Sequence, residues 1–117
     1  MSGLVSYLSG KAAEDTVLAD YTARGHRLVC RRWRGPGGEI DLVLEKDGEA
    51  IFVEVKKSRS FADAAAHLTA RQIARLLASA EAALGFFPGG SLTPMRFDVA
   101  LVDGSGRIET IPNALMA

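Results

Sequence analysis

Glu39-Ile40-Asp41-Leu42-Val43-Leu44 and Ile51-Phe52-Val53-Glu54-Val55-Lys56, joined through Glu45-Lys46-Asp47-Gly48-Glu49-Ala50, read as two strands and a tight turn. Asp47-Gly48 is the signature of a type I′ hairpin, in which both central residues take positive φ. Lys46 then faces Glu49, and the same register carried down the ladder sets Asp41 opposite Glu54 and Glu39 opposite Lys56. Alternation supports it: Ile40, Leu42 and Leu44 are expected to share a face with Ile51, Val53 and Val55, leaving Asp41, Glu54 and Lys56 on the other. Two carboxylates directly opposed across an antiparallel pair have Cβ atoms about 5 Å apart and repel each other. A divalent cation between them is the simplest compensation.

The rest of the chain bounds what such a site can be. At 117 residues it is long enough for one domain with its own core, and 48% hydrophobic against 24% charged residues excludes a disordered chain. No apolar run reaches the roughly 20 residues of a membrane helix, and the first residues lack a secretory pattern, so no membrane partner and a cytoplasmic location are expected. A single Cys30 and two histidines exclude a thiolate or imidazole zinc cage, which leaves oxygen ligands and hence Mg²⁺ or Mn²⁺ as the cofactor.

Net charge is zero, yet the charge is segregated. Arg24, Arg27, Arg31, Arg32 and Arg34 lie between Tyr21 and Gly38 with no acid among them, and Lys56, Lys57, Arg59, Arg71 and Arg75 form a second basic group. A basic surface beside an acidic metal site suits a nucleic-acid partner. Solvation of strand and helix faces is the competing reading for each arginine.

Ala13, Val17 and Tyr21, widened by Leu18, predict a helix from about Gly10 to Arg24 with Gly25 as its stop. Arg27 to Trp33 alternates as a strand, with Leu28, Cys30 and Arg32 on one side and Val29, Arg31 and Trp33 on the other, ended by Gly35-Pro36-Gly37-Gly38. Ser58 to His67 reads as loop or fraying helix. A second helix starts at Thr69 as cap, with Gln72 completing a capping box and Ile73, Leu76, Leu77, Ala80 and Leu84 as the apolar face. Phe97, Val99 and Leu101 mark a fourth strand, and Arg107 to Ile111 a short edge strand ended by Pro112. The order is α-β-β-β-α-β in a single domain, and the helical crossover before the fourth strand predicts a parallel pair there within a mixed, helix-flanked sheet.

Asp41 followed by Glu54-Val55-Lys56 on this element order resembles the PD-(D/E)XK nuclease superfamily. More closely, the chain resembles the small bacterial YraN family, on Gly10 with Glu14, Gly25, Arg34 ahead of Gly38-Glu39-Ile40-Asp41-Leu42-Val43, Phe52-Val53-Glu54-Val55-Lys56, and Arg96-Phe97-Asp98-Val99. One departure is Ser58, where the family usually places an arginine; Arg59 follows it. The resemblance implies a restriction-endonuclease-like α/β fold, shared with Holliday-junction resolvases, and a metal-dependent nuclease acting on DNA, favoured over RNA. A nucleic-acid-binding or scaffolding protein that keeps the site without catalysis is the alternative, and a homodimer is admitted as an assembly.

The roles implied are these. Asp41 and Glu54, with Val55, would hold the metal. Lys56 would orient or help deprotonate the attacking water, and Glu39 would hold that ammonium, reach the metal, or form only a cross-strand salt bridge. Glu14, bordering the stripe of the first helix, would approach the metal through water. Arg31, Arg34, Lys57 and Arg59 would contact phosphates, and Gln72 substrate, beyond its capping role. Trp33 either stacks on a base or packs in the fold, while Cys30 and His26 read as structural.

Overall fold

In the computed structural model, which describes residues 3–66 and 69–114, a five-stranded mixed sheet is covered by one helix on one face and two on the other. The elements are α1 (Gly3–Ala23), β1 (Arg27–Gly35), β2 (Gly38–Lys46), β3 (Glu49–Lys57), α2 (Phe61–Ala66), α3 (Ala70–Ala83), β4 (Met95–Val102) and β5 (Ile108–Ile111). Strand order follows the chain, with β3 and β4 parallel and every other neighbouring pair antiparallel. No helix among the described residues is long and apolar enough to cross a membrane.

The expected hairpin register holds from the turn to Leu42–Val53, where the ladder ends, so the expected Asp41–Glu54 and Glu39–Lys56 rungs are not formed. Lys46 pairs with Glu49, Glu45 with Ala50, Leu44 with Ile51, Val43 with Phe52 and Leu42 with Val53. Asp47 and Gly48 both have positive φ, 52° and 82°, as a type I′ turn requires. The parallel β3–β4 pair and the short edge strand β5 also follow the expectation, and α1 stops where Gly25 and His26 donate their amides to the Thr22 and Tyr21 carbonyls.

Two apolar layers flank the sheet. Ala13, Val17 and Tyr21 of α1 pack on Leu42, Leu44, Ile51, Val53, Ala100 and Val102. On the opposite face Leu76, Ala80 and Ala83 of α3 and Ala64 of α2 pack on Ile40, Val43, Phe52, Phe97, Val99 and Leu101.

Four expectations need correction. Ile40 does not share a face with Leu42 and Leu44; it packs with Val43 and Phe52 under α3. The cause lies in the β1–β2 ladder, which runs from Cys30–Val43 and Arg31–Leu42 to Trp33–Ile40 and passes over Arg32 and Asp41, where Arg32 takes φ 53°. In β1 a shift at Val29 breaks the simple alternation too, so Val29, Cys30 and Trp33 all pack toward α3. The first helix starts at Gly3, well before Gly10. The stretch expected as loop or fraying helix, Ser58 to His67, does hold the short helix α2; His67 itself lies outside the described residues.

The fourth correction concerns α3, in which Leu76 and Ala80 of the expected face, with Leu84 just after the helix, are buried but Ile73 and Leu77 are only half-buried, while Ser79 and Ala83 join the buried side. Ser79 accounts for that widening. Its hydroxyl donates to the Gly38 carbonyl at 2.7 Å and accepts the Gly37 amide at 2.9 Å, while its own carbonyl accepts Trp33 Nε1–H at 2.9 Å. The β1–β2 turn is thereby bound to the middle of α3, closely enough that a Cβ on Gly37 would lie 1.7 Å from the Arg75 carbonyl oxygen. Gly37→Ala is expected to destabilise the protein by about 2 kcal/mol or more, because only backbone movement relieves that overlap. Thermal unfolding checks it; a change below about 0.5 kcal/mol would show that turn and helix separate without cost.

Candidate metal and nuclease site

At Asp41 the hairpin ladder stops. Leu42–Val53 is its last rung, and one residue further the Asp41 carboxylate, not a backbone carbonyl of β2, accepts the Val55 amide at 2.7 Å. Strand geometry makes this possible: an edge-facing residue directs its N–H and C=O to the same side, so the Val55 carbonyl also points into the opening between β2 and β3. A side chain has replaced the backbone acceptor at the place where the two strands part.

Glu54 lies in this opening and is only 6% exposed. Its carboxyl is in hydrogen-bond reach of the Asp41 carboxyl, and burial, the Asp41 charge and that contact push it up, to about 8, against the pull of Lys56. Lys56 Nζ is 3.4 Å from Glu54 Oε2, so the two share one side of β3. Glu54 Oε1 is buried without any hydrogen-bond partner. An orphaned oxygen on a buried carboxyl beside a second carboxylate is an unfavourable arrangement that a shared proton or a bound cation relieves.

These donors fit Mg²⁺ or Mn²⁺. Both ions take oxygen ligands, and Mg²⁺ is characteristically held by one or two carboxylates while keeping several waters. Asp41, Glu54 and the Val55 carbonyl supply such a set. Among the described residues no group of three or more His, Cys, Asp or Glu gathers at ligand spacing, so a zinc-type cage is not an option for them.

Glu14 enters from the other face. It is buried on α1, one residue from Ala13 and three from Val17 in the layer against the sheet. Burial and the Asp41 charge raise its carboxyl above the usual glutamate range, opposed by Arg32 and Arg31. Arg31 Nη2 is 3.3 Å and Arg32 Nη2 3.4 Å from its two oxygens. Glu14 is thus close enough to feel the Asp41 charge, while its oxygens are taken up by the two arginines.

Other expected residues fall differently. Glu39 does not oppose Lys56, because the β2–β3 ladder has already ended; it pairs across β1–β2 with Arg34 at 3.4 Å. Arg31 is half-buried and is paired with Glu14 and, at 2.8 Å, with Asp15. Arg34 is largely exposed, as are Lys57 and Arg59, and these three keep the exposure a phosphate contact needs. The Gln72 amide donates to Thr69 Oγ1 at 3.1 Å, which accounts for it as a helix-start residue. Arg32 was not singled out as a partner of Glu14, and no residue pattern marks a non-glycine strand residue that turns to positive φ.

Asp98 likewise had no role assigned beyond its motif. It is buried on β4 and accepts Tyr21 Oη–H at 2.7 Å, Arg96 Nε–H at 2.9 Å and the Asn113 amide at 2.9 Å. It ties α1, β4 and the segment after β5 together, and so fixes the helix that carries Glu14.

Comparison with known proteins places this geometry in context. Residues 13–102 match the profile of uncharacterised protein family UPF0102. The chain is similar to a UPF0102 protein of Ruegeria pomeroyi, 58% identical over 96% of this chain and 91% of the relative. It is 51% identical to a UPF0102 protein of Cereibacter sphaeroides over the whole of both chains, and 40% identical to one of Dinoroseobacter shibae over 97% and 85%.

Proposed function

We propose that this chain, which belongs to uncharacterised protein family UPF0102, the YraN family, is a metal-dependent nuclease that hydrolyses phosphodiester bonds in nucleic acid, with DNA as the favoured substrate. The observation that carries the reading is the buried Glu54, with one oxygen unbonded, set against Asp41 where the β2–β3 ladder opens. Structural stability alone does not favour such a pair.

Asp41, Glu54 and the Val55 carbonyl would hold Mg²⁺ or Mn²⁺, whose charge offsets their repulsion and, when bound, stabilises negative charge developing on a phosphate. Lys56, 3.4 Å from Glu54, would hold and orient the attacking water. Glu14, steadied by Arg31 and Arg32, adds negative charge on the far side of Asp41 and favours a cation there. Arg34, Lys57 and Arg59 are exposed around this region and would attract the backbone of the substrate.

One observation favours the second reading, nucleic-acid binding without chemistry: two carboxylates, not three, meet at the opening. Cleavage assays on branched, single-stranded and duplex DNA and on RNA, with Mg²⁺ and with Mn²⁺, distinguish the two. Metal-dependent cleavage that disappears in Asp41→Asn supports the nuclease. Cleavage that survives in Asp41→Asn after a second purification rejects it, and salt-sensitive binding without cleavage leaves the binding protein. In either case affinity is expected to fall with salt at a log–log slope of about −0.7 to −0.9 per phosphate neutralised, and Lys57→Ala with Arg59→Ala makes the slope shallower by up to about two. A salt-independent affinity would refute the basic surface.

A further inference from the structure

A cavity of about 390 Å³ opens on β1, lined by Val29, Cys30, Arg31, Arg32, Trp33 and Phe86. That volume lies within the range of roughly 300–1,000 Å³ typical of small-ligand sites. Its apolar part is built from β1 residues that the shift at Val29 turns toward α3, and from Phe86 in the connector after α3. Trp33 and Phe86 meet edge to face, with ring centroids 4.8 Å apart and planes at 85°. The indole is held by its Nε1–H bond to the Ser79 carbonyl, whereas Phe86 is 52% exposed, unusual for a large apolar residue. The cationic part is Arg31 and Arg32, the two arginines that grip Glu14.

Those arginines connect the cavity to the candidate metal site. Arg32 lies across from Asp41, at the rung that the β1–β2 ladder omits, and both arginines border the carboxylate cluster from the β1 side. A fixed aromatic corner beside guanidinium groups, next to a site that acts on phosphate esters, has the composition of a base-stacking pocket. A guanidinium carries five donors, so Arg31, paired with Glu14 and Asp15, keeps N–H capacity for a base edge or a sugar-phosphate oxygen.

We propose that this pocket takes one unstacked nucleobase of the strand that enters the metal site, stacked on the Trp33–Phe86 corner. Substrate with an unpaired nucleotide near the reacting phosphate, in a single strand, flap, bulge or junction, is then bound in preference to continuous duplex, whose bases are already stacked on one another. This inference rests on the nuclease reading above and adds the substrate class to it.

The test uses Trp33 itself, the only tryptophan in the chain. Wild-type protein without added metal, so that the strand stays intact, is titrated with an end-labelled single-stranded oligonucleotide and with a blunt duplex of the same length. Label anisotropy reports binding, and tryptophan emission reports the pocket. The single strand is expected to quench Trp33 and to bind at least roughly five-fold tighter than the duplex, with Phe86→Ala lowering single-strand affinity roughly ten-fold and erasing most of the preference. Phe86 is exposed enough for that variant to fold, and circular dichroism checks it; Trp33→Phe, read by anisotropy, gives a second measure with the ring retained. Equal affinity for the two forms with unchanged emission overturns the pocket while leaving nucleic-acid binding intact. Absence of any anisotropy change overturns the pocket and the nucleic-acid reading together.

Discussion

Glu54→Gln is expected to be more stable than the wild type in the absence of metal, and inactive in its presence. The buried Glu54 carboxyl has its proton affinity raised, from an ordinary 4.5 to about 8, by burial and by Asp41. Between those values the folded protein holds a proton that the unfolded chain has released, so stability falls as pH rises through the window and the full penalty is present above about pH 8. Glutamine has no proton to lose. The variant should therefore be clearly more stable than the wild type above pH 8 and differ little from it near pH 4. The same change removes a metal ligand: Mg²⁺ or Mn²⁺ should raise the melting temperature of the wild type by mass action on the native state, but not that of the variant, and cleavage should drop by about a thousand-fold. Urea unfolding at pH 5 and pH 9 in chelator, followed by melts with metal, measures both arms. A variant that is no more stable at pH 9 would show that Glu54 is comfortable without a cation, and an equal metal-induced rise in both proteins would place the ion elsewhere.

Asp98→Ala carries the largest expected loss of stability, about 3–5 kcal/mol, because it removes the buried partner of a cation and leaves other donors unsatisfied. Tyr21 Oη, Arg96 and the Asn113 amide all donate to this one carboxylate, and Tyr21 and Asp98 are almost entirely buried. Against a typical 5–15 kcal/mol for a domain, the change would lower the urea midpoint substantially. Asp98→Asn, which keeps an acceptor while losing the charge, should fall between the two, and Tyr21→Phe should cost about 1 kcal/mol. A loss below about 1 kcal/mol in Asp98→Ala would mean that Arg96 finds another partner, for which Glu49 at 3.5 Å is the candidate.

The hairpin was legible in the sequence because Asp47-Gly48 admits essentially one turn, and a two-residue turn leaves no freedom of register. Asp41, Glu54 and Lys56 could be brought together from that register alone. Ile40 could not be placed, since its face depends on Arg32 adopting a left-handed backbone, which tertiary packing imposes and no residue type announces. The same break separates Glu39 from Lys56. For α3 the periodicity placed Leu76, Ala80 and Leu84 correctly but not the margin of the face, because a serine bonded to a neighbouring turn is buried where Ile73 and Leu77 are only half-buried. Arg31 illustrates another limit: counting charges along a segment shows where they cluster, but not that Glu14 and Asp15 on a distant helix already hold the guanidinium. Tyr21 and Asp98 lie 77 residues apart, and neither has a local pattern that points to the other.

The irregular course of β1 also governs how molecules of this protein meet one another. A chain with zero net charge has little electrostatic repulsion between copies, so an open sheet must guard its own borders. One border, β5, is only four residues long. The other, β1, is nine residues long and would be the natural template for strand addition. Its displaced rung at Val29 and the left-handed Arg32 make the row of outward amides and carbonyls uneven. Straightening β1, for instance with a β-branched residue at position 32, would regularise that row and turn a protected border into a site of fibrillar growth.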